Sequence, residues 1–180
     1  PAIEEARAGD VGEVRETPLQ AVPISPPAPD VVLVKPQTEP AQQRYFEDVT
    51  VGDEVPPVVK GPITTTHLVR WAAANGNYAR IHWDLPFAQL RQGLSNVVVN
   101  GSLKNQYLGE LLVKFSGEEG WFKRYQVQHR GMDYPGDVLT AHGAVTGKRE
   151  VGGFGYVDCH VGLRNNRGEL TVSGQATVVL

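Results

Sequence analysis

The sequence predicts an α+β domain in which a curved antiparallel sheet wraps around one long helix. Residues 100–117 repeat apolar side chains at helical spacing, and they are followed by segments rich in Val and Thr that are typical of strands. The motif NNRG at residues 165–168 indicates a hairpin turn between the last two strands. Because the helix has one wide apolar face and each strand another, wrapping the sheet around the helix buries both.

The first 43 residues differ in composition from the rest of the chain. They hold eight of the 13 prolines and no aromatic residue. A segment without large side chains to bury cannot offset the entropy lost on ordering, so residues 1–43 are predicted to be an extended tail or linker and residues 44–180 the folded domain. The stretch DVVLVKP, residues 30–36, is an exception that could dock as an edge strand.

Overall composition excludes several classes of protein. The chain has 180 residues, a net charge of −3 and 41% hydrophobic residues, which suffices for one domain with a real core. The mild charge predicts no attraction to nucleic acid or acidic membranes, and no apolar run approaches the roughly 18 residues of a spanning helix. The lone cysteine, Cys159, cannot form an internal disulfide and is predicted to be a buried, inert thiol, which favours a reducing, cytoplasmic location.

The helices can be placed in order along the folded part, which is predicted to begin at residues 44–55. Thr65 or Thr66 is predicted to cap a short helix that Gly76 ends. The loop GNYARIHWD then leads to a short Pro-led segment, LPFAQL. The long helix follows and is predicted to end at Gly117, and its apolar stripe consists of Leu103, Tyr107, Leu108, Leu111, Leu112 and Phe115.

The rest of the chain has the period of two that strands require. The four strand segments are predicted to be consecutive and antiparallel: FKRYQVQHRG, DVLTAHGAVTG, GYVDCHVGL and ELTVSGQATVVL. Arg124 and Arg130 share one face of the first of these strands. They could meet the phosphates of a ligand, but a solvated strand face is the preferred interpretation.

His82 is the first candidate for chemistry. Ile81 and Trp83 flank it, and partial burial favours the neutral imidazole that accepts a proton near pH 7. Asn77, five residues earlier, could face the same cavity if the loop curls back. The alternative is a histidine with a purely structural role.

The start of the long helix is the second candidate. The first amides of a helix have no internal partners and carry the positive end of its dipole, and Gly101 has no side chain to block a ligand. That combination suits an oxyanion hole. The alternative is that Asn100 caps the helix and Gly101 serves packing.

A resemblance to a known family supports a chemical role both for His82 and for the start of the long helix. The stretches YFEDVTVGDEV, GNYARIHWD, VVVNGSL and YPGDVL resemble, in order and spacing, the MaoC-like dehydratases, which include the (R)-specific enoyl-CoA hydratases. The similarity covers residues 44–180. It implies a hot-dog fold and hydration of a trans-2-enoyl thioester in fatty acid or steroid degradation, with no cofactor beyond the coenzyme A that carries the substrate.

The resemblance also assigns roles to residues. An Asp and a His together activate water in active members of the family, so His82 takes the histidine role, Asn77 the aspartate position and Gly101 the oxyanion donor role through its N–H. Asn100, Tyr78 and Ser102 are predicted to bind substrate. Asn can orient a water but cannot ionise.

Four further positions depart from the family pattern. Asn100 stands where the family has His, Gly109 maps to a position that often carries a small hydroxyl residue, and Ala79-Arg80 replace the family's Asn-Pro. Arg80 could serve a charged group or a partner subunit.

Three functions therefore remain open. In the first, the chain is a hydratase in which His82 suffices as base or Asn77 replaces an original Asp. In the second, it is the non-catalytic half of a pair of hot-dog subunits and shapes the pocket for a bulky acyl group, as in related steroid dehydratases. In the third, the fold acts in assembly through its Pro-rich tail. The resemblance implies a homodimer or a heteromer in each case.

The remaining polar residues are assigned structural roles. His67 is predicted to lie in the first turn of the short helix, and Asp133 and Asp137 to serve the turn around YPG. No spacing predicts a metal site from the strand histidines His129, His142 and His160.

Overall fold

A computed structural model describes residues 43–180. The predicted tail, apart from Gln43, and the possible edge strand at residues 30–36 lie outside the described residues. Gln43 contacts the folded part, since its side-chain oxygen accepts a hydrogen bond from Glu119 N at 3.0 Å. Within residues 43–180, no helix combines the length and apolarity needed to cross a membrane.

The described residues form a five-stranded antiparallel sheet and three α-helices. The elements in chain order are β1 (Glu54–Lys60), α1 (Thr65–Asn75), α2 (Leu85–Gln92), α3 (Gly101–Ser116), β2 (Trp121–His129), β3 (Leu139–Val151), β4 (Phe154–Asn165) and β5 (Leu170–Val179). The strand order across the sheet is β1-β3-β4-β5-β2. This is the predicted α+β arrangement, with α3 packed against the sheet.

The position of β2 corrects the prediction that the four later strands are neighbours in sequence order. All pairs are antiparallel, as expected, but β2 pairs with β5 and lies at the edge opposite β1. A period of two shows which face of a strand is buried but not which edge of the sheet it joins. Short hairpins force β3, β4 and β5 together, whereas the connection at residues 130–138 is long enough to cross the end of the sheet.

Strand β1 was not predicted as a strand. Its sequence, EVPPVVK, contains two prolines, which lack the N–H that a central strand must donate. Among the described strands, β1 lies at an edge and pairs with β3 alone, and its register shifts between Val55 and Val58, the stretch that contains both prolines. The edge position and the irregular register tolerate the missing donors.

The N-cap of the first helix lies at least one residue earlier than predicted. Thr64 is the N-cap, in place of Thr65 or Thr66, and its Oγ1 accepts a hydrogen bond from His67 N at 3.3 Å. His67 lies in the first turn, as predicted. Gly76 ends the helix with a φ of 64°, a left-handed conformation that glycine adopts without strain.

The core lies between α3 and the concave face of the sheet. The predicted stripe of α3 is buried except for the half-buried Tyr107, and it packs against the inward side chains of the strands. Cys159 is one of them, and burial, with a smaller contribution from Asp158, raises the pKa of its thiol to about 12. The prediction of a buried thiol is therefore confirmed.

Candidate active site

An extended segment, residues 97–99, brings the two candidate regions together. On one side, Val98 N donates to Ile81 O at 3.0 Å, and His82 Nδ1 lies 2.8 Å from Val98 O. On the other side, Val99 N donates to Asp133 O at 2.8 Å. Helix α3 begins two residues after Val99. The segment therefore positions the His82 loop beside the helix N-terminus.

The hydrogen bond to Val98 fixes the protonation pattern of the His82 ring. A carbonyl oxygen only accepts, so Nδ1 must carry the proton and donate it. In the neutral ring, Nε2 then has the free lone pair, and no described residue within hydrogen-bond distance donates to it. His82 is 8% exposed. The chain thus holds a nearly buried imidazole whose Nε2 can accept a proton.

The first turn of α3 supplies amide donors that no described residue accepts from. The N–H groups of Gly101, Ser102 and Leu103 precede the first intrahelical bond, which runs from Lys104 N to Asn100 O at 3.1 Å. These amides lie at the positive end of a helix that runs to Ser116. The geometry suits the stabilisation of a negatively charged oxygen.

The alternative prediction that the Asn100 side chain caps the long helix is wrong. Asn100 occupies the N-cap position, but its side chain makes no capping hydrogen bond. The residue is fully buried, and neither its Nδ2 nor its Oδ1 has a partner in the described part of the chain. Buried amides without partners are rare in folded proteins. Asn100 therefore keeps a donor and an acceptor free next to the amides of α3.

Ser102 connects the start of α3 to α1. Its Oγ accepts hydrogen bonds from Trp71 Nε1 at 2.9 Å and from Asn75 Nδ2 at 3.2 Å. Because both partners are donors, the Ser102 hydroxyl keeps its own proton for a further acceptor. The structure thus places this predicted binding residue in the first turn of α3, held by two side chains of α1.

Asn77 and Tyr78 lie on the loop that precedes His82. Asn77 Oδ1 accepts from Ala79 N at 3.3 Å, a local turn that occupies one lone pair of the amide oxygen. Tyr78 is 65% exposed. Neither residue makes a hydrogen bond to His82 or to the start of α3 among the described residues.

Arg80 is already paired within the loop. Its guanidinium donates to Asp84 Oδ2 from Nε at 2.8 Å and from Nη2 at 2.6 Å, and it stacks over the Phe87 ring at 4.4 Å. The hydrogen bond from Phe87 N, followed by that from Arg80, lowers the pKa of Asp84. Asp84 also caps α2. Arg80 thus stabilises the turn that carries His82.

A buried ion pair beside the site was not predicted. Lys104 Nζ lies 2.7 Å from Asp133 Oδ2, and it donates to Gly131 O at 2.9 Å. Asp133 also accepts from Asn165 Nδ2 at 3.0 Å and from Thr171 Oγ1 at 2.7 Å. The prediction that Asp133 serves only a turn is wrong. The sole sequence signal is a lysine within an otherwise apolar helix face.

One cleft of the described residues lies away from this site. It has a volume of about 700 Å³ and lies on the sheet face opposite α3, lined by Arg124, Arg149, Tyr156 and Asp158 among others. A smaller cleft of about 300 Å³ separates α1 from α3, where Trp71, Leu103 and Tyr107 contribute to its walls. Trp71 and Leu103 connect this smaller cleft to the first turn of α3.

A comparison with models of protein families identifies the family of this chain. Residues 30–133 match the family described as hydroxyacyl-thioester dehydratase type 2, and the match covers more than half of the sequence. The chain belongs to this family. No curated protein matches this dehydratase family member. The predicted resemblance to thioester dehydratases is confirmed.

Solved structures confirm the hot-dog fold of this dehydratase family member. The (R)-hydratase PhaJ1 from Pseudomonas aeruginosa is 19% identical, with a TM-score of 0.66 over 74% of this chain and 83% of that one. A MaoC-like dehydratase from Rhodospirillum rubrum is 20% identical, with a TM-score of 0.65 over 76% and 96%. The ChsH1-ChsH2 complex from Mycobacterium tuberculosis is 21% identical, with a TM-score of 0.62 over 72% and 96%.

The predicted site residues of this dehydratase family member fall into two groups. His82, Asn100, Gly101 and Ser102 are gathered by the segment 97–99 and the first turn of α3. Asn77 and Tyr78 lie on the adjoining loop. Within the part of the chain that the structure describes, no three His, Cys, Asp or Glu side chains are arranged to hold a metal ion.

Removing the indole N–H of Trp71 tests the connection between α1 and α3. Trp71→Phe keeps a smaller aromatic ring at this half-buried position but loses the hydrogen bond to Ser102, so the free energy of unfolding is expected to fall by about 0.5–1.5 kcal/mol more than in the control below. Urea unfolding followed by circular dichroism measures it. Trp83→Phe is the control, because that indole is exposed and its bond to Tyr78 O is long, at 3.4 Å. A larger loss for Trp83→Phe would contradict the assignment.

Proposed function

We propose that this chain reversibly adds water to a trans-2-enoyl thioester of coenzyme A, with His82 as the proton acceptor and the N–H of Gly101 as a donor to the thioester oxygen. Membership of a family of hydroxyacyl-thioester dehydratases supports the reaction class. The observation that carries the proposal is the 2.8 Å contact between His82 Nδ1 and Val98 O, which leaves Nε2 as the basic atom.

The chemistry follows from these groups. A water molecule gives a proton to His82 Nε2 while its oxygen bonds to the β-carbon of the substrate. The π electrons move toward the carbonyl, and the resulting enolate oxygen accepts from the amides at the start of α3. A proton then returns to the α-carbon. Dehydration is the reverse, and neither direction needs a redox or metal cofactor because only a proton and water move.

The substrate contacts are proposals of the same kind. Asn100 and Ser102 each keep hydrogen-bonding capacity near the amides, and Tyr78 lies on the exposed side of the loop. The cleft between α1 and α3 has largely apolar walls at Leu103 and Tyr107, which suits part of an acyl chain. A cytoplasmic location remains a prediction.

A second candidate function is that of a non-catalytic partner in a heteromeric hydratase. The observation that favours it is Asn77, which cannot ionise and whose oxygen already accepts from Ala79 N. Within residues 43–180, β2 pairs only with β5, so its other edge can pair with a second copy or with another hot-dog subunit. Edge pairing would also cover the exposed Trp121 and Phe122. The third account, assembly through the tail, concerns residues outside the described part.

Restoring a carboxylate distinguishes a weak enzyme from a partner subunit. Asn77→Asp is expected to raise hydration of crotonyl-CoA by the isolated chain, by up to about 10²- to 10⁴-fold, because it adds an ionisable group to the loop that carries the base. An Asp still accepts from Ala79 N, so the loop is kept. Loss of enoyl absorbance measures the rate.

The control for this change is Gln175→Glu, which makes the same amide-to-acid change on the sheet face away from α3. It should leave the rate unchanged. An Asn77→Asp variant without any gain would contradict the role of this position. If wild type and variant are both inactive alone but become active with a co-purified hot-dog subunit, the partner role is correct.

A further inference from the structure

The side chain of His129 faces the start of α3. His129 is the last residue of β2 and pairs with the buried Val172 of β5, so it points to the same side of the sheet as the core. A β-carbon at position 101 would lie 3.3 Å from Cε1 and 3.5 Å from Nε2 of this ring. The ring therefore lies directly against Gly101, whose lack of a side chain permits the approach.

The surroundings of His129 leave its ring nitrogens free. Neither nitrogen makes a hydrogen bond to any residue from 43 to 180, and the residue is exposed. Two charged groups face it, the Lys104 ammonium on α3 and the Asp133 carboxylate in the following loop. Burial of part of the ring, then Lys104, lowers the pKa of His129, and Asp133 opposes them. The neutral ring dominates at neutral pH.

We propose that His129 is a second proton-transfer residue of this site, acting at the α-carbon of the thioester. The inference rests on the proposed hydratase function, and it gives His129 the part that the uncharged Asn77 cannot take. Two observations carry it: the contact of the ring with Gly101, and the buried Asn100 amide beside the same helix start, whose donor and acceptor both lack partners among the described residues.

In the proposed dehydration, His129 takes one proton and His82 gives one. In dehydration, neutral His129 removes the α-proton of a 3-hydroxyacyl thioester, and the C–H electron pair forms an enolate whose oxygen accepts from Gly101 N–H. The enolate re-forms the carbonyl and expels the β-hydroxyl group, which takes a proton from His82 Nε2 and leaves as water. One proton thus moves from His82 to His129. His129 is exposed and releases its proton to solvent, and His82 regains a proton from water before the next turnover.

A distinct pH profile follows from this scheme. Dehydration requires neutral His129, so the rate falls as the pH drops through the pKa of that ring. His82 supplies the proton that the departing hydroxyl group takes. His129→Gln is expected to lower kcat by about 10²- to 10⁴-fold and to remove the acidic limb of the profile. A residue with a merely structural role would not change the shape of that limb.

The first experiment is chemical rescue. Dehydration of (R)-3-hydroxybutyryl-CoA is measured for wild type, His129→Gly and, as a control, His160→Gly, which removes an exposed histidine from the outer sheet face. Added imidazole should restore His129→Gly at least tenfold, because the exposed position admits it, and should not affect the control. If His129→Gln keeps the wild-type rate and acidic limb while wild type is active, the inference is overturned and the hydratase function stands.

The second experiment separates the two proposals. In D₂O, His82→Ala should still exchange the α-proton of (R)-3-hydroxybutyryl-CoA for deuterium, since His129 can remove and return it although the hydroxyl group does not leave. Mass spectrometry measures the exchange, and adding His129→Gln should abolish it. Exchange without turnover in wild type would overturn the hydratase function alone. No exchange in His82→Ala beside normal wild-type turnover would overturn the role of His129.

Discussion

Replacing Lys104 with methionine is expected to lower the free energy of unfolding by about 3–5 kcal/mol, because it leaves a buried carboxylate without its counter-ion. The side chains of Lys104 and Asp133 are 3% and 0% exposed, and their charged atoms are 2.7 Å apart. Methionine has similar length and fits the same helix face but cannot compensate the charge. The midpoint and slope of urea unfolding measure the loss.

The matched control is the same substitution elsewhere on the same helix. Lys114 also pairs with a carboxylate, Glu110, at 3.1 Å, but both side chains are partly exposed. Surface pairs contribute little, so Lys114→Met should cost less than about 1 kcal/mol. Equal losses of unfolding free energy in the two variants would contradict the role assigned to burial of the Lys104–Asp133 pair.

A double replacement tests the pair more directly. Lys104→Met with Asp133→Leu removes both charges together, so its cost should be smaller than the sum of the single costs. Additive costs would contradict a direct interaction.

The ion pair of Lys104 and Asp133 also matters for the site. Asp133 O accepts a hydrogen bond from Val99 N, and Lys104 lies about one turn after Gly101, the first of the free amides of α3. We therefore expect activity to fall with stability in Lys104→Met.

Replacing His82 with alanine is expected to lower hydration of crotonyl-CoA by about 10²- to 10⁴-fold, because it removes the proposed proton acceptor. The remaining amides at α3 can still polarise the thioester, so KM should change less than kcat. The variant also leaves Val98 O without its donor, so its unfolding midpoint must be measured alongside its activity. A variant that is folded but inactive supports the assignment.

His160→Ala is the control for the imidazole. His160 is exposed on the outer sheet face and contacts Ser173 Oγ at 3.3 Å, far from the segment that holds His82. Its replacement should leave the rate unchanged. If His82→Ala retains wild-type turnover, the site assignment is wrong, whatever the fold.

Much of the fold was predictable because its elements are marked locally. The apolar stripe of α3, the stop at Gly76 and the hairpin at residues 165–168 follow from spacing and turn chemistry. The edge strand β1 was missed because two prolines hide its pattern. The place of β2 was mistaken because edge order depends on where a connection crosses the sheet.

The residues of the candidate site also differ in whether the sequence alone could identify them. His82 and Gly101 stand out in sequence through their neighbours and their place at a helix start. Lys104, Asp133 and His129 do not stand out, because the role of each depends on a contact with a residue distant in the chain. Asp133 resembles a turn residue until the structure shows it buried against Lys104.

By itself, the sequence determined the first helix, the long helix with its apolar stripe and the four later strands, because apolar side chains repeat every two residues in a strand and every 3.6 in a helix. Only the tertiary structure decided that His82 is held by Val98, that Asn100 has no partner in the described residues and that His129 lies against Gly101. Contacts of this kind join residues far apart in the chain. Their geometry depends on how the packed elements meet, which no local pattern encodes.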